Sequence, residues 1–473
     1  MTKEIVVLLL DGIIYQLDVT DVGKKVAKMN TCAPVHDTIF VTFQSDELTN
    51  FLEDRIHFAK ILDIECLDVQ IRQSIGLKPP PKKWTVPNML HTYLGIEEKR
   101  WDVEEYAEVL KNIATCYLAM KTRGEAEWKR ITEIELLVNR VLYETQSRGI
   151  FINHEEIEPL CRELHQKIYS LKNTIQLEYD FIGDSLDDYV SQNNIYQGEL
   201  SRSIEEKLEK DHPEIGVFRK LQRTKQNFNC LIMLSAVRKG VNLCKPLFKG
   251  FGTTTGRIIL RDPALQNLSK KFRSLLKNEN LPANKRYVYV DFGQFEAGVL
   301  AGLSGNSQLQ ALYEQNRVYE ELARRTKSDR DKAKMYFYCF VYGGIVWKGA
   351  DNFFKTYGLQ KTVDEVNSEA LKKGFIETPF GNRRVCGGEE DKKWILNHYI
   401  QGTSSLIFKQ ALIDVYQSFY TKVELILPMH DAALYIVDND VQTEHLIHVF
   451  RGAFKKWLPN VNPIVKEKDF FEE

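Results

Sequence analysis

The chain lacks the features that mark several whole classes of protein. Its eight cysteines form no Cys-x-x-Cys pair and no compact Cys/His group. That argues against a zinc module and makes reduced cytosolic thiols the default. The longest N-terminal apolar stretch, residues 5–10, is too short to span a bilayer and no signal-peptide cleavage pattern follows it. Internal repeats and low-complexity segments are missing, and so is an excess of charge of one sign. A net charge of −1 over 473 residues does not advertise nucleic acid, although a neutral protein can still concentrate its cations in a cleft. What remains is an ordinary soluble composition, 43% hydrophobic and 27% charged, with length for several domains or subdomains.

The most informative run is Tyr289-Val290-Asp291-Phe292-Gly293-Gln294-Phe295-Glu296. Aromatic and β-branched residues lead into an Asp, and a Gly follows, as in a buried strand that delivers a carboxylate to its end. Far downstream, Leu425-Ile426-Leu427-Pro428-Met429-His430-Asp431 and the apolar run 432–437 read as a hairpin with a carboxylate at its tip. Two carboxylates on adjacent strands suit two hard cations a few ångströms apart. Either Asp alone is as well explained by turn formation. Between them, Arg330, Lys334, Tyr338 and Tyr342 recur every fourth residue, one stripe of a helix that Gly343-Gly344 would end. Two cations a turn apart can grip a triphosphate, and the tyrosines beyond can contact a sugar and stack on a base. The bland alternative is a solvated basic stripe over buried aromatics.

Taken together, these motifs resemble those of a family A DNA polymerase, the DNA polymerase I type. Residues 291–296 resemble its first metal motif, the stripe ending at Tyr342-Gly343 its nucleotide-binding finger helix, and His430-Asp431 its second metal motif. Thr255-Gly256-Arg257 with Pro263-Ala264-Leu265-Gln266-Asn267-Leu268 resembles the primer-template segment. Thr378-Pro379-Phe380-Gly381-Asn382-Arg383-Arg384 resembles the finger-to-palm connection, and Asn397-x3-Gln401-Gly402-Thr403 the helix approaching the template. The resemblance implies an α+β right hand: a palm with an antiparallel sheet, helical fingers and thumb, and an N-terminal α/β exonuclease-like domain. The expected boundaries are 1–125 for the exonuclease-like domain, 126–250 for the thumb, 251–304 and 396–473 for the palm, and 305–395 for the fingers.

The same resemblance assigns roles. Asp291, Asp431 and the carbonyl of Phe292 would hold two Mg²⁺ ions, with Mn²⁺ able to substitute. Arg330 and Lys334 would bind the triphosphate, and Lys334 would protonate the leaving group. Tyr338, Tyr342, Gln294 and Tyr319 would complete the nucleotide site, and Glu296 would crowd the sugar 2′ position against ribonucleotides. Arg257, Gln266, Asn267, Lys270, Lys271, Arg273, Arg383, Arg384, Asn397, Gln401 and His430 would contact DNA. The implied partners are primer-template DNA, deoxynucleoside triphosphates and a processivity or replisome factor, with no membrane and a monomeric state. The implied setting is the cytoplasm of a bacterial or phage-infected cell, an organelle being the alternative.

Departures from the family pattern carry information. Ala432 stands where a Glu usually follows His-Asp, and Gly298 where an Arg braces the site. Tyr338, in place of the commoner Phe, implies ready acceptance of dideoxynucleotides and leans toward a phage-like member. The exonuclease pattern Asp-x-Glu has only Asp11-Gly12-Ile13 as a match, and Tyr106 is followed four residues later by Leu110 instead of Asp. An exonuclease fold without its chemistry is the expectation. Two rival readings stay open: a single-subunit RNA polymerase, against which the bulky Glu296 argues, and a non-catalytic DNA-binding derivative, which the lost ligands would suit.

Overall fold

The structure, a computed structural model, describes residues 3–21, 26–29, 38–52, 60–81, 83–96, 106–197, 200, 204–205, 208–235, 242–344, 349–387 and 393–472. The chain forms two compact units: Met1–Arg148 with Leu247–Ile259 and Pro282–Asp469, and Gly149–Pro246 with Leu260–Leu281 and Phe470–Glu473.

Among its described residues the first unit holds a five-stranded and a four-stranded sheet, besides two-stranded pairs. The N-terminal sheet is five-stranded and mixed. Lys3–Leu10 lies at its centre, antiparallel to Ile13–Asp18 and parallel to Thr38–Thr42. Ala27–Met29 extends one edge and Lys60–Asp63 the other. The runs 5–10 and 38–43 thus contain strands, as their apolar β-rich composition predicts. Asp11 and Gly12 both take positive φ, 48° and 73°, and form the two-residue turn that Asp-Gly favours between antiparallel strands. The proline patch from Lys78 is extended chain between the helices Ile64–Ile75 and Val86–Leu94; its Lys82 lies outside the described residues.

The second sheet is four-stranded and wholly antiparallel, in the order Val423–Pro428, Ala432–Asp438, Lys285–Phe292, Val465–Lys468. The long helix Lys393–Phe419 and the helix Thr443–Trp457 pack in this half of the unit. Phe292 stacks on Phe295 with ring centroids 4.3 Å apart, and Phe450 closes over it at 5.2 Å. That aromatic layer makes the strand end rigid. Between the strands run helices Ser307–Glu314, Val318–Thr326, Arg330–Val341, Asp351–Thr356 and Leu359–Lys373, then a hairpin of Phe375–Thr378 and Gly381–Val385.

A buried ionic lattice joins the N-terminal part of this unit to its four-stranded half. A π-helical turn, Ile131–Glu135, interrupts the helical run between Glu125–Arg130 and Leu136–Arg148, a widening that the periodicity of the sequence does not announce. Arg130 reaches Glu127 at 2.8 Å, Glu135 at 2.6 Å and Gln70 at 2.7 Å, and Lys409 reaches Glu135 at 2.7 Å. Glu127 in turn accepts the amide N–H of Asn382 at 2.9 Å and of Arg383 at 2.8 Å. Charges this deep persist only when paired and hydrogen-bonded throughout.

The second unit is built on the helices His154–Tyr179 and Glu214–Ser235, which pack along one another. Phe181, Tyr189 and Phe218 form its aromatic centre, with centroids 4.8–5.8 Å apart. Leu136–Arg148 ends where Gly149 takes φ 77°, a left-handed residue that stops the helix before this unit begins.

Candidate active site

The antiparallel ladder brings the two strand-end carboxylates together. Asp291 is in register with Ala432, and the amide of Phe292 donates to the carbonyl of Asp431 at 3.1 Å. Met429 donates to the carbonyl of Ala432 at 2.7 Å, so His430 and Asp431 form a two-residue tip. Asp291 is buried, 8% exposed. Burial, and then the neighbouring charge of Asp291, push the Asp431 carboxyl up to about 6, the behaviour of two carboxylates that share a confined site. Lys468, from the edge strand, forms an ion pair with Asp291 Oδ2.

Glu296 is the second residue of the helix Phe295–Ser304 and is 5% exposed. It pairs with Arg257 and accepts from the hydroxyl of Tyr342 at 3.2 Å. Burial raises its carboxyl, and Arg257 and Tyr342 oppose that shift. Burial and then Glu296 push the Tyr342 phenol up to about 12, so Tyr342 is a neutral donor at pH 7. The helix Arg330–Val341 carries the predicted stripe, with Asp329 capping its start through Lys332 N–H at 2.8 Å. Tyr338 and Tyr342 have ring centroids 5.5 Å apart, and the Lys334 ammonium lies 5.9 Å from the Tyr338 ring. Arg330 lies 5.5 Å from the Tyr319 ring and forms an ion pair with Glu320 at 2.7 Å. The order is therefore the acidic pair, buried Glu296 with its arginine, two tyrosines, then two cations.

The model of DNA polymerase family A matches residues 153–456. The chain belongs to DNA polymerase family A. It is similar to DNA polymerase I of Borreliella burgdorferi, 23% identical over 432 residues, which cover 76% of this chain and 47% of that one. It is also similar to DNA polymerase theta of Caenorhabditis elegans, 28% identical over 265 residues, covering 50% of this chain and 16% of that one. The fold matches the polymerase domain of Pol1 from M. smegmatis in complex with DNA primer-template and dNTP, with a TM-score of 0.78 at 16% identity over 98% of this chain and 94% of that one. The chain spans about half or less of the length of these curated relatives.

The other predicted contacts of this family A chain fall into separate groups. Gln401 accepts from the Thr255 hydroxyl at 3.3 Å, which keeps it beside the Arg257 segment. Arg383 lies 3.8 Å from the Phe375 ring and pairs with Glu377 at 2.9 Å, and Arg384 lies 3.8 Å from the Trp394 ring. Asn397 is half-buried and His430 exposed at the hairpin tip. Crowding by surrounding protein, then Arg257, lower the His430 imidazole, which favours the neutral ring. Gln294, with φ 49°, donates to Asn316 at 2.8 Å. Tyr319 is 2% exposed, a shelf under Arg330. Gln266, Asn267, Lys270, Lys271 and Arg273 belong to the second unit. There Gln266 accepts from the Leu260 amide at 3.2 Å, Lys270, Lys271 and Asn267 are exposed, and Arg273 lies 4.5 Å from the Phe470 ring.

Sequence reasoning missed Lys468, Asn316, Glu320 and the Glu127–Arg130–Glu135–Lys409 lattice. Only the last left a signal, since Glu127, Arg130 and Glu135 recur at near-helical spacing among apolar residues. Hard carboxylate oxygens on paired strands, crowded enough to raise Asp431, fit hard divalent cations. Among the described residues no group of three or more His, Cys, Asp or Glu side chains gathers to hold an ion, in keeping with Ala432. No described helix is long and apolar enough to cross a membrane.

Proposed function

We propose that the chain is a template-directed DNA polymerase that adds deoxynucleotides to a primer 3′-hydroxyl with two divalent ions, Mg²⁺ or Mn²⁺, and that it has no proofreading excision. The observation that carries this reading is the strand pairing that sets Asp431 against Asp291 beside the Glu296–Arg257–Tyr342 cluster and the Arg330–Lys334 helix. Ions held by Asp291, Asp431 and the Phe292 carbonyl would acidify the primer hydroxyl and offset charge on the departing pyrophosphate. Arg330 grips the outer phosphates through its fork, and Lys334 neutralises the inner one and donates a proton to the leaving oxygen. Tyr342, tied to Glu296, covers the nascent pair. Glu296 fills the space a ribose 2′-hydroxyl would need, and its oxygens already have Arg257 and Tyr342 as partners. Arg257 and Gln401 read the acceptors common to all correct pairs in the minor groove.

The domain assignment belongs to the same proposal. Residues 251–304 and 396–473, with the four-stranded sheet, are the palm, 305–395 the fingers, and 126–250, most of which lie in the helical second unit, the thumb. The five-stranded sheet is an exonuclease-like domain whose chemistry is lost, because Asp11 is a turn residue and Leu110 is core. The protein works as a monomer on primer-template DNA in the cytoplasm of a bacterial or phage-infected host, aided by a processivity factor. The test is primer extension with Mg²⁺ and either deoxy-, ribo- or dideoxynucleotides. Extension with deoxynucleotides, rejection of ribonucleotides and efficient dideoxy termination through the Tyr338 hydroxyl are expected. Extension with ribonucleotides favours the RNA polymerase alternative, and binding without extension the non-catalytic one.

A further inference from the structure

The edge strand of the four-stranded sheet brings a positive charge to the acidic pair. Val465–Lys468 runs antiparallel to Lys285–Phe292, with Asp291 opposite Lys466 and Tyr289 opposite Lys468. Alternation puts Asp291 and Lys468 on the same face, as diagonal neighbours within reach of a long side chain. The Lys468 ammonium closes on Asp291 Oδ2, and its charge is felt by Asp431 as well. Its side chain is 54% exposed and Asp291's only 12%, so the lysine arches over the carboxylate from the solvent side. On the opposite side, the residue in register with Asp291 is Ala432, which is fully buried and has no side-chain acceptor. Asp291 thus has lysine charge on its edge-strand side and no side-chain anion in register on the other.

We propose that Lys468 is a positioning residue that holds the Asp291 carboxylate by its Oδ2 atom and competes with divalent cations for that oxygen, thereby setting how much metal the enzyme requires. The proposal rests on the two-ion reading above. A fixed ammonium a few ångströms from the ligand oxygen repels an arriving dication through a partly solvated path, and the cation must displace Nζ before it can use Oδ2. The ammonium also confines Asp291 to one orientation, so the carboxylate need not reorganise when the dication takes over.

The test is Mn²⁺ binding to the full chain without DNA or nucleotide, read by the loss of the free-ion electron paramagnetic resonance signal. Lys468→Met keeps the stem and removes the charge; affinity is expected to rise roughly three- to thirtyfold. Lys468→Arg restores the charge and is expected to return affinity toward that of the unmodified protein. The Mg²⁺ concentration for half-maximal extension should fall in Lys468→Met in parallel. Asp291→Asn is expected to weaken Mn²⁺ binding at least about tenfold. Equal Mn²⁺ affinity in Lys468→Met and the unmodified chain, with Asp291→Asn still weakened, overturns the role of Lys468 and leaves the acidic pair as the metal site. Unchanged affinity in Asp291→Asn overturns the metal reading and, with it, this one.

Discussion

The two larger sheets of the first unit both carry aspartates at or beside strand ends, and the fates of those aspartates differ. In the N-terminal sheet, Asp11 sits in the left-handed turn of a hairpin, exposed. Asp63 ends Lys60–Asp63 but is fully engaged: it accepts from the Ser45 hydroxyl at 2.6 Å, the Glu65 amide at 2.8 Å and the Lys249 ammonium at 3.0 Å. It caps the helix Ile64–Ile75. In the four-stranded sheet, no helix begins directly after either acid. Gln294 separates Asp291 from the helix Phe295–Ser304, and Asp431 lies in a two-residue tip. A strand-end carboxylate becomes a candidate chemical site when a second one crosses to meet it and it caps no helix. Otherwise it is architecture.

The strongest way to break that contrast is to remove one carboxylate of each kind. Asp291→Ala is expected to reduce primer extension roughly a thousandfold or more while leaving the chain folded and able to bind DNA, because the loss falls on charge stabilisation in the transition state. Residual extension within tenfold of the original would take the metal role away from Asp291. Asp63→Ala should do the reverse. It leaves Lys249 with Glu65 alone and uncaps a helix, a cost of about 3–5 kcal/mol in denaturant unfolding, with extension per folded molecule retained. Equal stability in Asp63→Ala would mean that the lysine and amides find replacement partners.

How much of this was legible beforehand follows from range. The Asp291 and Asp431 strands, the cationic stripe and the Asp11-Gly12 turn are carried by neighbours within about ten residues, where side-chain period and turn chemistry act directly. The pairing of Asp291 with Asp431 spans 140 positions and was legible only through motif order. Lys468, Asn316 and Glu320 had no such help. Each matters through the residue it meets in space, and a lone Lys, Asn or Glu on a strand, loop or helix surface looks like any solvated side chain. The π turn at Ile131–Glu135 was hidden for a related reason, since its local residues all suit an α-helix and the buried lattice selects the wider turn.

The seam between the two regions sharpens the contrast further. His398, on the helix Lys393–Phe419, is 1% exposed and donates Nε2–H to the carbonyl of Asn382 at 2.8 Å, while Asn382 gives its own N–H to Glu127. Burial drives the imidazole down to about 4, Asn382 partly opposing. The folded ring stays neutral where an unfolded one, near 6.5, binds a proton. Stability contributed by the neutral ring is therefore complete above pH 6.5 and lost as pH falls toward 4, about 3 kcal/mol in all. His398→Gln is expected to flatten that slope between pH 6.5 and 4 in unfolding measurements. A slope unaltered by the substitution assigns the acid sensitivity to other groups.

The smallest expected effect is the most diagnostic for the N-terminal sheet. Asp11→Asn keeps a residue that tolerates φ near 50° and a side chain of the same shape, so stability should stay within about 0.5 kcal/mol. If Asp11 were a metal ligand of a working exonuclease, that single change from carboxylate to amide would abolish shortening of a mismatched primer. The hairpin geometry gives a different expectation. The unmodified chain should not shorten the primer in the presence of Mg²⁺, and Asp11→Asn should behave identically in both excision and extension. Metal-dependent shortening that disappears in Asp11→Asn would turn the exposed turn residue into a ligand and make the two sheets alike in chemistry as well as in their strand-end acids.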